Sequence, residues 1–445
     1  MFSWFKNIFA KKIDNSFFFI HIPKTAGTSF INILDGCVAE KEIFPPQLWQ
    51  EINQDIIAKK SQYKLLRGHF GGGSHKLLSN HNPHRLTILR HPVNLSISTY
   101  HFIKREKNTA VHDLVTDRKM GLREFLEEPL TVRKINNRMV RHLSFDLQQD
   151  PEAQELFLST ESIKVVSNWI KTPKKIDNKT RLIRAKKAID ACSWFGITER
   201  FDESMQLFAF TFNRPPIGKT PRLNAYRPSK DIDNYCQNLI DQQNKYDLEL
   251  YKYAQIKFEQ NYRNMCRQLG NPDIENIDNT LDKYYQKHHT YKITDGTDYD
   301  FSMNLLGSSW HRRELTQPDN SFFRWTSSRQ AYIDFWVQPQ EYQLSIRIIN
   351  TVSDQHLTEL DIHINNISIP YEYDQNEGPV RVLSARIAKS IFKNNLLRIH
   401  FNHPETLQHA QVFNSDDERC LGIAINWIRL SPCQTLIQAK QQLNQ

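Results

Sequence analysis

The sequence predicts a parallel α/β domain followed by an all-β sandwich, and three observations carry that prediction. In the first half, short apolar runs rich in β-formers (Phe17-Phe-Phe-Ile20, Lys64-Leu-Leu-Arg67, Leu86-Thr-Ile-Leu89, Trp194-Phe-Gly-Ile197) are each followed by a loop and a stretch of helical period. Tyr246 to Leu269 then reads as a long amphipathic helix, with Leu248, Tyr251 and Phe258 on one face and Gly270 as its stop. Beyond residue 295 the period drops to two in Ala331–Val337, Tyr342–Ile349, Leu360–Ile364, Asn395–Phe401 and Leu421–Leu430, with turn residues such as Asn365-Asn366 between. The expected division is residues 1–270 for the α/β domain, a polar linker over 271–294, and 295–435 for the sandwich.

The first strand feeds His21-Ile-Pro-Lys-Thr-Ala-Gly-Thr-Ser29, and Thr28 to Cys37 continues as a helix with Phe30, Ile33, Leu34 and Cys37 on one face. Strand, tight loop and helix start aim backbone N–H groups and the helix dipole at one spot, which favours an anion. Within Lys24, Thr25, Ala26, Gly27, Thr28 and Ser29, the lysine supplies a mobile cation, Gly27 permits close approach, and Thr28 and Ser29 offer hydroxyls. The order differs from the nucleotide-triphosphatase signature, in which Lys follows the second Gly and directly precedes Ser or Thr.

The second strand ends in Gly68-His69-Phe70 and runs into Gly71-Gly-Gly73, a notable cluster in a chain with only 14 glycines. Ligands of open parallel sheets lie beyond the carboxyl ends of the strands, where His69 would stand as a general base. The third strand closes on Arg90, and the helix after Pro92 carries Ser98. A guanidinium from a strand end and a hydroxyl from the next helix suit a second phosphate.

Pro23-Lys-Thr-Ala-Gly-Thr-Ser29 resembles the 5′-phosphosulfate loop of sulfotransferases that use 3′-phosphoadenosine 5′-phosphosulfate (PAPS), especially the carbohydrate-modifying branch. Arg90-His-Pro-Val-Asn-Leu-Ser-Ile-Ser-Thr-Tyr100 resembles their 3′-phosphate motif, with Arg90 and Ser98 at the matching positions and His91 where the family usually has an acid. Gly68-His-Phe70 resembles the segment of the proposed base, and Asn136-Asn-Arg-Met-Val-Arg-His-Leu143 a segment beside the acceptor, with Asn137 and Arg141 as its polar positions. Lys219-Thr-Pro-Arg-Leu-Asn224 falls where the family has a basic loop over the nucleotide, which makes Arg222 a candidate for the 3′-phosphate. Trp194–Phe201 is similar to a family segment that serves packing. The resemblance covers about residues 15–270 and implies in-line transfer of a sulfuryl group from PAPS to a carbohydrate hydroxyl, with Lys24 and His69 as catalytic residues and no metal. The C-terminal half resembles jelly-roll modules of bacterial glycan-processing enzymes through Gly307, Trp310 and Glu314, and Arg419, Leu421 and Gly422. Its Trp310 and Trp325 suit either glycan contact or the core. The rival readings are a nucleotide-dependent kinase and a non-catalytic glycan-binding protein working through the sandwich.

At 445 residues the chain exceeds what one core organises, and 39% hydrophobic with 24% charged residues describes a water-soluble globular protein. The net charge of +9 fits an anionic donor and an acidic glycan, whereas nucleic acid would call for a basic stripe or binding module that the sequence lacks. Six dispersed cysteines without metal-type spacing fit a reduced compartment. No run reaches the length of a membrane span, so a cytoplasmic location is expected. Residues 1–12 mix Phe2, Trp4, Phe5, Ile8 and Phe9 with Lys6, Lys11 and Lys12, and suit a peripheral membrane contact as well as a packed helix.

Overall fold

The computed structural model describes residues 16–145, 176–214, 216, 232–288, 298–303, 305–316, 320–374, 380–413 and 417–433. The N-terminal segment 1–12, most of the polar stretch 150–180, and Arg222 lie outside them. Contacts divide the chain into two compact units. The first comprises Met1–Ile31, Lys41–Thr211 and Arg222–Gly270, and the second Asn32–Glu40, Phe212–Pro221 and Asn271–Gln445.

The first unit is built on four parallel strands: β1 (Phe17–Ile20), β2 (Leu65–Gly68), β3 (His84–Leu89) and β4 (Trp194–Ile197), in the order β2-β1-β3-β4. Phe17 pairs with both Leu65 and His84, and Leu86 with Trp194, so the four carboxyl ends fall side by side. Parallel strands covered on both faces need continuous apolar runs. Phe18 and Phe19 accordingly have no exposed surface, and neither do Leu65, Leu66, Leu86 and Ile88. Three of the strands hand over to these helices: α1 (Gly27–Asp35) after β1, α2 (Pro92–Arg105) after β3, and α4 (Phe201–Thr211) after β4, while α3 (Arg138–Ser144) is bonded to α5 (Lys245–Gln268). Phe30 of α1 stacks on Trp194 at 4.8 Å and meets Phe208 of α4 edge-on at 5.2 Å, which locks the loop-bearing helix to the sheet.

The second unit is an antiparallel sandwich. One sheet has seven strands, centred on β7 (Tyr342–Thr351) flanked by β9 (Arg381–Ile387) and β11 (Ile423–Pro432), with β5 (Phe322–Trp325) beyond β11. The other has five, including β6 (Gln330–Trp336), β8 (Asp361–Ile364) and β10 (Leu396–Asn402). Alternate residues of the two sheets share one core: Leu344, Ile346, Leu383 and Ile425 from the first, Ile333, Leu397, Ile399 and Phe401 from the second. Trp310 and Trp325 are core residues, 3% and 4% exposed, and Trp310 Nε1 donates to the Tyr332 carbonyl at 2.9 Å. Glu314 and Arg419, from the two ends of the unit, pair at 2.8 Å. Within the polar stretch 271–294 a helix, α6 (Ile277–His288), forms because Ile277, Leu281 and Tyr285 share one buried face. Tyr285 packs edge-on against Trp336, and Asp282 joins Asp334 in holding Arg398.

Candidate active site

The carboxyl ends of the strands set out the site. His21 follows β1, His69 follows β2, Arg90 follows β3 and Thr198 follows β4, so four polar side chains line one edge of the sheet. Between them runs the loop from Pro23 to Gly27, whose backbone is left-handed at Lys24 (φ 70°) and Ala26 (φ 63°). Two non-glycine residues in that region cost conformational energy and turn successive amides toward one side, the geometry of an anion nest. The Thr25 hydroxyl closes the turn by donating to the Ile22 carbonyl at 2.8 Å, whereas Thr28 and Ser29, at the start of α1, make no side-chain hydrogen bond among the described residues.

Gly27 is fixed by its neighbour as much as by a ligand. A Cβ there would lie 1.9 Å from His21 Nε2, so the imidazole occupies the space a side chain would need. The His21 ring lies between Phe19 and His69, with centroids 5.4 Å and 4.3 Å away. His69 Nδ1 bonds the His21 carbonyl at 2.8 Å; since that oxygen only accepts, Nδ1 carries the proton and Nε2 keeps a lone pair. Burial pushes the His69 imidazolium down to about 4; the bond to His21 opposes the shift and the charge of Arg138 adds to it. His69 is therefore neutral at neutral pH, the state a base requires. The glycines that follow it make room for α3: a Cβ on Gly72 would sit 2.3 Å from the Leu143 carbonyl, and one on Gly71 would strike Phe145.

Arg90 joins the two phosphate-type motifs, because its Nη1 donates to the Lys24 carbonyl at 2.9 Å. Its Nε is buried with no hydrogen-bond partner among the described residues. Ser98 is buried on α2, and its hydroxyl is unengaged among the described residues, whereas Ser96 and Thr99 beside it turn back onto their own helix. The Lys24 ammonium rests over the Phe102 ring, 4.2 Å from its centroid. Burial first, then the guanidiniums of Arg105, Arg90 and Arg138, push its pKa down to about 8. An orphaned guanidinium nitrogen, an unengaged hydroxyl and a loop of turned amides together fit a ligand bearing two separate phosphates.

No protein-family model matches the chain. Heparan-sulfate 6-O-sulfotransferase 2 of Gallus gallus is 29% identical over 209 residues, covering 43% of this chain and 48% of that protein. The Homo sapiens protein of the same name is also 29% identical over 209 residues, 32% of its length. Heparan-sulfate 6-O-sulfotransferase 1-B of Danio rerio is 29% identical over 143 residues, 32% of this chain and 31% of that protein. The similarity is distant, and the chain spans less than half the length of the curated relatives it matches.

Glu199, just after β4, accepts from the His91 amide and Asn94 Nδ2, both at 3.0 Å, and from the Tyr251 hydroxyl at 2.9 Å. It caps the start of α2 and ties it to α5. Asn137 and Arg141 stand differently from a matched polar pair. Asn137 is left-handed (φ 44°) and 4% exposed; its Oδ1 accepts from the amides of Tyr246 and Asp247, and its Nδ2 donates to the Gln243 carbonyl. Its polar atoms thus clasp α5. Arg141 sends Nη2 back to the Arg133 carbonyl at 2.7 Å. Arg138, which the sequence reading passed over, has its charge felt by both Lys24 and His69. Arg138, Glu199 and His21 carried no distinctive local pattern beyond lying in or beside the recognised motifs. Among the described residues no cluster of three or more His, Cys, Asp or Glu side chains is placed to hold a metal, and no helix is long and apolar enough to cross a membrane.

Proposed function

We propose that the first unit transfers a sulfuryl group from PAPS to a hydroxyl of a carbohydrate acceptor. The observation that carries this reading is the bond from Arg90 Nη1 to the Lys24 carbonyl: it fastens a 5′-phosphosulfate-type loop to a 3′-phosphate-type motif, with Arg90 Nε and the Ser98 hydroxyl left for a ligand. The distant similarity to heparan-sulfate 6-O-sulfotransferases supports a glycan acceptor.

In this reading the turned amides from Lys24 to Ser29 receive the 5′-phosphosulfate, and Arg90 and Ser98 receive the 3′-phosphate. The Lys24 ammonium faces the bridging oxygen, where negative charge develops as adenosine 3′,5′-bisphosphate departs. His69 Nε2 accepts the acceptor's hydroxyl proton while Nδ1 stays on His21. The left-handed residues Lys24 and Ala26 hold the loop amides in the turned arrangement this reading requires.

Calorimetry with adenosine 3′,5′-bisphosphate, AMP and ATP tests the donor half. Tighter binding of the bisphosphate than of AMP or ATP is expected, and equal affinity would remove the assignment. Mass spectrometry of a glycan panel that includes heparan sulfate, after incubation with PAPS, tests the transfer: an added sulfate is expected on at least one glycan.

A further inference from the structure

Between Asn137 and Arg141 lies a cation that the fold places with care. Arg138 opens α3, is half-buried, and donates from Nη1 to Thr99 Oγ1 at 3.0 Å, one residue beyond Ser98 on α2. Its Nε and Nη2 make no hydrogen bond among the described residues, and no carboxylate there lies within ion-pair reach. Asp247, whose charge it feels, has both carboxylate oxygens on backbone amides: Oδ2 on Met139 and Oδ1 on Val140, at 3.0 and 2.8 Å. Holding a cation partly out of water without an ion-paired carboxylate is costly. Here the surroundings add like charge: Arg141 acts on it, and it acts in turn on Lys24, Lys134 and His142.

The helix that presents this cation is stitched on three sides. Asn137 and Asp247 fasten its start to α5, Arg138 itself reaches α2, and the His142 carbonyl accepts from the Gly72 amide in the loop that follows His69. A cation so held, with free donors, is tied to the helix of Ser98 and is carried by the helix that meets the loop after His69. We infer that the Arg138 guanidinium binds the non-bridging oxygens of the sulfuryl group in transit, between Lys24 on the donor side and His69 on the acceptor side; the inference rests on the sulfotransferase reading. In the step, the bond from sulfur to the bridging oxygen breaks and its electron pair leaves with adenosine 3′,5′-bisphosphate. A new bond forms from sulfur to the acceptor oxygen, whose proton passes to His69 Nε2. Arg138 neither gains nor loses a proton, and its two free donor positions suit a planar array of three oxygens.

The test compares two nucleotides that differ by the sulfuryl group. Affinities of the full chain for PAPS and for adenosine 3′,5′-bisphosphate are measured by calorimetry, in the cold and without acceptor, for the wild type and for Arg138→Gln and Arg138→Met. The expected result is an unchanged bisphosphate affinity and a PAPS affinity lower by about tenfold or more, the worth of a charge-assisted hydrogen bond. Arg138→Met should also melt higher, because it removes a half-buried cation that has no ion-paired carboxylate. Arg138→Lys keeps the charge without the fork; it should recover part of the PAPS preference, and it carries the comparison if a neutral variant fails to fold. Equal loss for both nucleotides, or no loss for either, in a folded variant overturns the inference. A wild type that binds no bisphosphate overturns the sulfotransferase reading itself, so the two failures are distinct.

Discussion

His69 holds the carbonyl of the same residue, His21, whose ring it stacks against: Nδ1 meets the His21 oxygen at 2.8 Å and the ring centroids are 4.3 Å apart. The bond fixes the tautomer, and the stack removes the imidazole from water. Both effects set the pH range over which the site works.

The pH–rate profile of kcat/KM follows from His69 and Lys24. His69 must be neutral and Lys24 charged, and burial has pushed the first down to about 4 and the second down to about 8. Activity should therefore be flat between those values, falling below as His69 gains a proton and above as Lys24 loses one. His69→Ala should erase the acid limb and lower turnover by roughly 10²–10⁴-fold while leaving bisphosphate affinity intact. An acid limb near the ordinary imidazole value in the wild type would contradict the burial argument.

Arg90 and Ser98 separate by nucleotide. Ser98→Ala should bring the affinities for adenosine 3′,5′-bisphosphate and AMP closer together by about tenfold, since only the first carries a 3′-phosphate. Arg90→Ala should weaken both, because it also releases the Lys24 carbonyl and with it the loop. Titration calorimetry of the four pairs reads the difference.

The loop offers a compensation experiment. Gly27→Ala drives a methyl group into the His21 ring and should abolish bisphosphate binding. His21→Ala in the same chain vacates that space, so the double variant should bind better than Gly27→Ala alone. Ala26→Gly should raise the melting temperature slightly, by relieving a left-handed alanine worth about 1 kcal/mol of strain. Independent, additive losses from the two single variants would mean that His21 and Gly27 do not share the space.

Thermal stability should fall as pH drops from about 6.5 to 4. Burial holds His69, His75, His400 and His403 at about 4 in the folded protein, so the unfolded chain takes up protons first across that window. Asp247 and Asp334, pushed up to about 6 by burial, act in the opposite sense, since their folded forms hold protons that the unfolded chain has lost. Four histidines against two aspartates give a net loss toward acid. A melting temperature that rises from pH 6.5 to 4 would show that the carboxylates dominate.

What could be read from the sequence was the local chemistry. Lys24 to Ser29 and Arg90 to Ser98 each lie within a strand, loop and helix continuous in the chain, so local pattern alone announced the four-stranded parallel sheet and the strand-loop-helix turns on which the proposed anion site rests. The alternation after residue 295 likewise announced the sandwich. The relations that complete the site are non-local, and no spacing encodes them. Glu199 reaches the amide of His91 from 108 positions away. The glycines after His69 stood out in the sequence as a cluster, but the sequence did not show that Gly71 and Gly72 admit Phe145 and the Leu143 carbonyl. Asn137 matched a polar motif position, but its side-chain oxygen is spent on amides 109 and 110 residues downstream, while Arg138 resembled any arginine on a charged helix.

That clasp between Asn137 and α5 also imposes an order of assembly. The bond that joins the two phosphate-type motifs, from Arg90 Nη1 to the Lys24 carbonyl, spans 66 residues, whereas α1 gains its packing only with Trp194 and Phe208 and α2 its cap only with Glu199. The helix bearing Arg138 has its first amides satisfied only by Asn244 and Asp247, 107 and 108 residues further along. Contacts at such separation form late, because the intervening chain must first be ordered. A nascent chain would thus join the Lys24 loop to Arg90 well before it fixes the helix that bears Arg138.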